Sequence, residues 1–229
     1  MTAFSEEYNA LQTELTQILQ QCSRPANAVK ILAVSKTFPV EAIQEAYNSG
    51  VRCFGENKIQ ELSAKSELLP GDIQWHFIGH LQSNKAAKAV QYAAWIHSVD
   101  SLKLLNKLNR AAGELGKKPC ILLEVNSGEI SKSGIDYADL PELAEAAAAA
   151  ENLHFKGLMT MAPLTDDREA WITAFKRLQD ARDKLEKSLS ITLPELSMGM
   201  SGDFPEAVAC GSTIIRIGSR LFGNRSYDQ

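Results

Sequence analysis

Neither sign of charge dominates this chain: 24 Lys and Arg stand against 28 Asp and Glu, for a formal net charge of −4. A protein that neutralises nucleic-acid phosphates needs a basic face, so DNA and RNA are excluded as expected partners. Cysteine is scarce and scattered. Cys22, Cys53, Cys120 and Cys210 form no CxxC pair, which excludes a zinc ribbon or dithiol redox motif and leaves the expectation of reduced, mostly buried small hydrophobes. Long apolar runs are missing as well, so no bilayer span is expected. The opening MTAFSEEYNALQTEL is polar and acidic where a signal peptide would be basic and then apolar, and the expectation is a cytoplasmic protein. No stretch rich in Pro, Gly or Ser divides the chain. Its 229 residues, 45% hydrophobic and 23% charged, are the material of a globular protein with a sizeable core.

What is present is an alternation. Leu11, Leu15, Ile18 and Leu19 recur at helical spacing, predicting an amphipathic helix over 4–22 that ends before the Arg24-Pro25 breaker. Short apolar runs follow at 31–35, 52–55, 74–78, 95–98, 121–125, 155–159, 195–197 and 214–217, eight strand candidates in all. Helical patterns separate them at 40–48, 57–68, 101–115, 140–150 and 168–188, with shorter stretches after the third and seventh strands. Strands alternating with helices imply right-handed crossovers and a parallel sheet. Eight repeats in this length, with no dinucleotide-type glycine fingerprint after the first strand, point to a closed (β/α)8 TIM-type barrel of the α/β class. Residues 1–229 are expected to form one barrel domain, with 4–22 as an extra N-terminal helix packed on it.

Barrel chemistry gathers at the carboxyl ends of the strands. Lys36 closes the run Ile31-Leu32-Ala33-Val34, where a desolvated amine can become neutral and form a Schiff base with an aldehyde. A lysine that merely snorkels outward would look the same locally. Ser201, Gly218 and Ser219 follow the seventh and eighth strands, a recurrent place for a phosphate. Ser201 is expected to offer a hydroxyl and a backbone N–H at the start of the helix through Ala207, and Gly218 and Ser219 backbone donors, with close access at Gly218. An aldehyde-trapping lysine opposite a phosphate cradle points to pyridoxal 5′-phosphate. Arg216 would then lie under the ring and donate to the pyridine nitrogen. Since arginine has no acceptor, it would keep that nitrogen unprotonated and weaken the electron sink. A rim ion pair is the alternative for Arg216. His76, His80, His97 and His154 show no metal spacing and are expected to be packing residues, Trp75 and Phe77 barrel-to-helix core, and Glu56 a carboxylate at a helix N-terminus.

The segments ILAVSKTFP, CFGENKIQEL, WHFIGHLQSNK, GLMTM, LSMGMSGDFPEAV and IIRIGSRLFG, in this order over residues 29–224, resemble the pyridoxal-phosphate-binding homeostasis family related to the N-terminal domain of alanine racemase. The resemblance implies a fold-type III barrel without a second β-domain and Lys36 as the Schiff-base lysine. It implies a phosphate held by Ser201, Gly218 and Ser219, and Arg216 facing the pyridine nitrogen. It also implies Asn57 in the loop after the second strand and Lys132 as a lysine handling the cofactor near the mouth. The function it implies is storage of pyridoxal phosphate as an imine and delivery to apo-enzymes, with a regulatory protein as a further candidate partner and no catalytic residues; with no apparent dimerisation domain in the sequence, a monomer is expected. The alternative is an amino-acid racemase. That reading requires a second acid on the opposite ring face, for which the chain up to Gln229 offers no extra domain and only Tyr227 as a substitute.

Overall fold

The computed structural model describes residues 2–128 and 133–223. Helix α1 (Ala3–Gln21) comes first, begun by a reciprocal cap in which the Ser5 N–H donates to Thr2 Oγ1 at 3.3 Å and the Thr2 N–H to Ser5 Oγ at 2.9 Å. Its Leu11, Leu15 and Leu19 are buried as the spacing predicts, joined by Phe4, while Ile18 is half-buried. This stripe packs on the barrel's outer shell rather than entering the barrel. Where α1 ends, Arg24 anchors the chain by donating from Nη1 to the Val208 carbonyl at 2.6 Å and from Nη2 to that of Ser212 at 2.8 Å.

Strands β1 (Lys30–Val34), β2 (Cys53–Glu56), β3 (Gln74–Phe77), β4 (Trp95–Val99), β5 (Cys120–Glu124), β6 (His154–Met159), β7 (Glu195–Ser197) and β8 (Ile214–Ile217) then pair in chain order, every pair parallel, and β8 closes on β1. The connecting helices are α2 (Val40–Asn48), α3 (Ile59–Ser66), α4 (Ala86–Tyr92, after a 3-10 turn at Ser83–Lys85), α5 (Leu102–Leu115), α6 (Leu140–Ala148), α7 (Arg168–Leu189), α8 (Phe204–Ala209) and α9 (Ser219–Phe222). The expected TIM-type barrel is therefore the observed fold. Its main core lies between sheet and helices, where Phe54, Trp75, Phe77, Leu62, Phe175 and Leu178 are all buried.

The barrel interior is different in kind. His97 on β4 and Ser197 on β7 lie within 2.9 Å of each other although their strands are not neighbours, so their contact crosses the inside of the barrel. Leu32, Leu122 and Ile214 are buried yet lie outside the sheet-to-helix cluster. The interior is thus part apolar filling and part polar scaffold beneath the mouth. No described helix is long and apolar enough to cross a membrane.

Candidate functional site

One cavity of about 300 Å³ opens at the carboxyl ends of the strands, and Lys36, Asn57, Ser201, Arg216, Gly218 and Ser219 all line it. Val34, Ile78, Met159, Met161 and Met200 supply apolar walls. A larger depression of about 750 Å³ between α1 and α2 is lined by Glu41, Gln44, Glu45 and Asn48 but by no cation, so size does not locate the chemistry. Lys132 and Tyr227 fall outside the described residues.

Each wall follows from its element. β1 ends at Val34, and the chain turns immediately, the Phe38 N–H donating to the Ser35 carbonyl at 3.1 Å, so that half-buried Lys36 stands on a turn at the rim. Asn57 is held by Gly79: a Cβ there would sit 2.2 Å from the Asn57 carbonyl oxygen, so only glycine lets the loop after β3 close on the loop after β2. Asn57 Oδ1 is buried without a hydrogen-bond partner among the described residues. Ser201 and Ser219 bring their hydroxyls to 3.5 Å from each other.

Two details differ from expectation. Ser201 does not begin α8; Asp203 is its N-cap residue, whose Oδ1 makes no capping bond and accepts instead from the preceding Met200 N–H at 2.5 Å, and Ser201 sits in the turn before it. A Cβ on Gly218 would point at Val34, 3.3 Å from its carbonyl oxygen and 3.4 Å from its Cβ, so Gly218 offers the cavity its backbone while its missing side chain lets β8 close on β1.

Arg216 is no rim ion pair. It is buried, and Nη1 donates to the Ser197 carbonyl at 2.8 Å and to Ser197 Oγ at 2.9 Å while Nη2 donates to the Thr160 carbonyl at 2.9 Å. Burial pulls its pKa down to about 10, with Asp203 and Glu124 pulling back, so the guanidinium remains a cation at neutral pH. From Ser197 the chain of contacts runs inward: Ser197 Oγ to His97 Nδ1 at 2.9 Å, then His97 Nε2 to His76 Nδ1 at 2.9 Å. Burial, then the Lys30 charge, lowers the pKa of His76 to about 3; burial, then His76 and Arg216, holds His97 well below its ordinary value. Both rings are neutral.

The expected packing role of His76 and His97 is thus a polar one, holding the arginine from below. His80 is exposed at the mouth, its Nδ1 3.5 Å from Asp100 Oδ2. Glu56 corrects the expectation for it: it is the last residue of β2, fully buried, and its Oε1 accepts from Ser35 Oγ at 2.7 Å and from Lys65 Nζ at 2.8 Å. Burial outweighs these donors and raises its pKa. Lys65, absent from the sequence reading, carries no local signal beyond an acidic residue four positions earlier.

The lining fits a small phosphorylated aromatic aldehyde: an amine, two hydroxyls, a buried guanidinium, and an amide oxygen without a partner among the described residues. Residues 7–226 match the family described as alanine racemase, N-terminal domain. The pyridoxal phosphate homeostasis protein of Vibrio alginolyticus is 39% identical over 233 residues, covering 99% of this chain and all of that protein. The structure of PipY from Synechococcus elongatus without PLP superposes with a TM-score of 0.88 at 41% identity, covering 96% of this chain and 100% of that one. PipY with PLP bound gives 0.82 at 42%, covering 91% and 100%. The alanine racemase of Clostridium difficile, at 17% identity and a TM-score of 0.73, shares the barrel fold, and this chain covers 57% of it. The chain belongs to the alanine racemase N-terminal-domain family and, within it, to the pyridoxal phosphate homeostasis proteins.

Proposed function

We propose that this chain binds pyridoxal 5′-phosphate reversibly at Lys36 and takes part in its intracellular homeostasis, as a monomeric carrier that supplies apo-enzymes. The observation that carries the reading is the gathering of Lys36, Arg216 and the Ser201, Gly218 and Ser219 segments around one cavity. When bound, the group would supply an aldehyde with which the Lys36 amine could condense with loss of water, so that hydrolysis would return both partners unchanged. Ser201, Gly218 and Ser219 would hold the phosphate, Asn57 would stand at the ring's edge, and Arg216 would donate to the ring nitrogen.

A carrier, rather than a racemase, is favoured by Arg216. An obligate donor at the nitrogen would keep it unprotonated, and His97 behind Ser197, its pKa held well below the ordinary value, is too weak a base to draw a proton from the guanidinium. The test is to load the protein with pyridoxal phosphate, reduce it with borohydride and map the modified peptide. The label is expected on Lys36 and absent from Lys36→Ala; a label on another lysine, Lys132 included, would overturn the assignment.

A further inference from the structure

The residues on either side of Lys36 are both tied to one charge cluster, buried at Glu56 and Lys65 and partly exposed at Glu61. Ser35 accepts from Lys65 Nζ at its carbonyl, 3.0 Å, and donates its hydroxyl to Glu56 Oε1 at 2.7 Å. The Thr37 N–H donates to Glu61 Oε2 at 2.9 Å. Lys65 Nζ joins the two halves, at 2.8 Å from Glu56 Oε1 and 3.4 Å from Glu61 Oε2, so all three of its protons have acceptors. Lys65 and Glu61 are one helical turn apart on α3, and Glu56 ends β2. Thr37 has φ +70. A β-branched residue in the left-handed region is strained and persists only where its surroundings hold it there. Relaxation of Thr37 to an extended backbone would re-aim the turn that presents Lys36.

We infer that Glu56, Glu61 and Lys65 are positioning residues for Lys36, a clamp that holds the backbone before and after it and keeps Thr37 in its strained conformation. None of them lines the cavity; they act on its amine through residues 35 and 37. The inference rests on the reading of Lys36 as the attachment point.

Two readouts separate the clamp from that reading. The first needs no cofactor: amide hydrogen exchange at Thr37 in the apo protein, protected in the unaltered chain and expected to become fast in Glu61→Ala. The second compares the rate of pyridoxal phosphate capture with the affinity for pyridoxine phosphate, an alcohol that keeps ring and phosphate but cannot condense with an amine. Glu61→Ala is expected to slow capture by about ten- to a hundredfold, the scale of a small misplacement of a reacting group, and to leave pyridoxine phosphate binding unchanged. Glu61→Gln, which keeps an acceptor, restores most of the rate. So does Thr37→Gly placed on Glu61→Ala, because glycine takes positive φ without strain. Capture at the original rate in Glu61→Ala, a loss that Thr37→Gly does not repair, or an unchanged Thr37 exchange rate would overturn the clamp. Failure of the unaltered chain to capture the aldehyde would instead strike the proposed function, with the Thr37 exchange still deciding the clamp.

Discussion

His97 Nδ1 lies 2.9 Å from Ser197 Oγ, across the barrel from strand β4 to strand β7, and this contact sets where the protons of the interior sit. Arg216 can only donate to Ser197 Oγ, so the serine's own proton is available for His97 Nδ1. His97 then carries its proton on Nε2 and donates to His76 Nδ1, leaving the buried His76 N–H at Nε2 as the one group without a partner among these residues. The opposite direction would strand the serine proton as well as His76 Nε2. The assignment with fewer orphaned groups wins.

Both histidines are accordingly expected to remain neutral Nε2–H tautomers from pH 8 down to pH 5. Long-range nitrogen–proton NMR correlations read this directly. A ring that titrates near the ordinary value of 6.5, or a proton found on Nδ1 of either, would show that the chain runs differently.

Glu124 works against the histidines in acid. Burial, then Asp100, raises its pKa to about 7, opposed by Arg216. Its folded value lies above the ordinary 4.5, so its contribution is complete below that value and is lost as pH rises through about 7. His76, with a folded pKa lowered to about 3 from 6.5, has the opposite sign: its stability is present above 6.5 and declines as the medium is acidified toward 3. The two terms cancel in part. Glu124→Gln removes the opposing term, so acidification from pH 7.5 to 5 is expected to cost this variant about 2 kcal/mol more than the parent, from about 1.4 kcal/mol per unit over the interval. Urea unfolding at both pH values measures it. An equal pH dependence in the two proteins would mean that Glu124 has no raised pKa.

Gly79→Ala tests how the mouth is assembled. The new methyl would fall 2.2 Å from the Asn57 carbonyl oxygen and 2.7 Å from its Cα, both backbone atoms that cannot swing aside. One of the two loops must move, at about 1–3 kcal/mol, which lowers the melting temperature by roughly 2–4 °C per kcal/mol in a chain of this size. Affinity for pyridoxal phosphate should drop with it because Asn57 shifts. Unchanged melting and affinity would show that the loops are not held by this contact.

The eight strands were legible because each apolar run is short and bounded by turn residues; those at 195–197 and 214–217 agree with β7 and β8 to the residue. Helix α3 begins at Ile59 rather than at the expected 57, since Lys58 remains extended at φ −124 and ψ 124. The mouth residues were legible because a barrel's topology sends every strand-end loop to one place. Lys65 was not: within IQELSAKS it reads as one more helix-surface lysine paired with Glu61, and only the packing of α3 under the β1 turn buries it. Ser197 and His97 stand 100 residues apart with no local spacing that could announce their bond. Contacts made by topology leave no trace in periodicity.

Turnover separates a carrier from a racemase. Protein loaded with pyridoxal phosphate and given single amino-acid enantiomers is expected to racemise none beyond the rate of the free cofactor, because Arg216 in the proposed placement would keep the ring nitrogen unprotonated. Chiral chromatography over a concentration series decides this. Saturable racemisation that disappears in Lys36→Ala would restore the enzyme.

The phosphate end of the site can be weighed separately from the aldehyde end, because pyridoxal keeps the aldehyde and lacks the phosphate. If the Ser201 and Ser219 segments hold the phosphate, pyridoxal engages Lys36 without that grip. At a concentration where pyridoxal phosphate reaches about 100 times its Kd, the melting temperature rises by the equivalent of about 2.7 kcal/mol, and pyridoxal at the same concentration should raise it far less. Ser219→Ala removes one hydroxyl that is exposed, so it is expected to weaken binding by no more than a hydrogen bond to a charged oxygen, about 1.5–3 kcal/mol. Gly218→Leu should do more harm, since its side chain would be driven into Val34, two residues before Lys36, and so disturb both ends of the cavity. Titration of each variant with both aldehydes, followed by absorbance and thermal unfolding, apportions the binding. Equal stabilisation by the two aldehydes would move the phosphate out of the loops after β7 and β8.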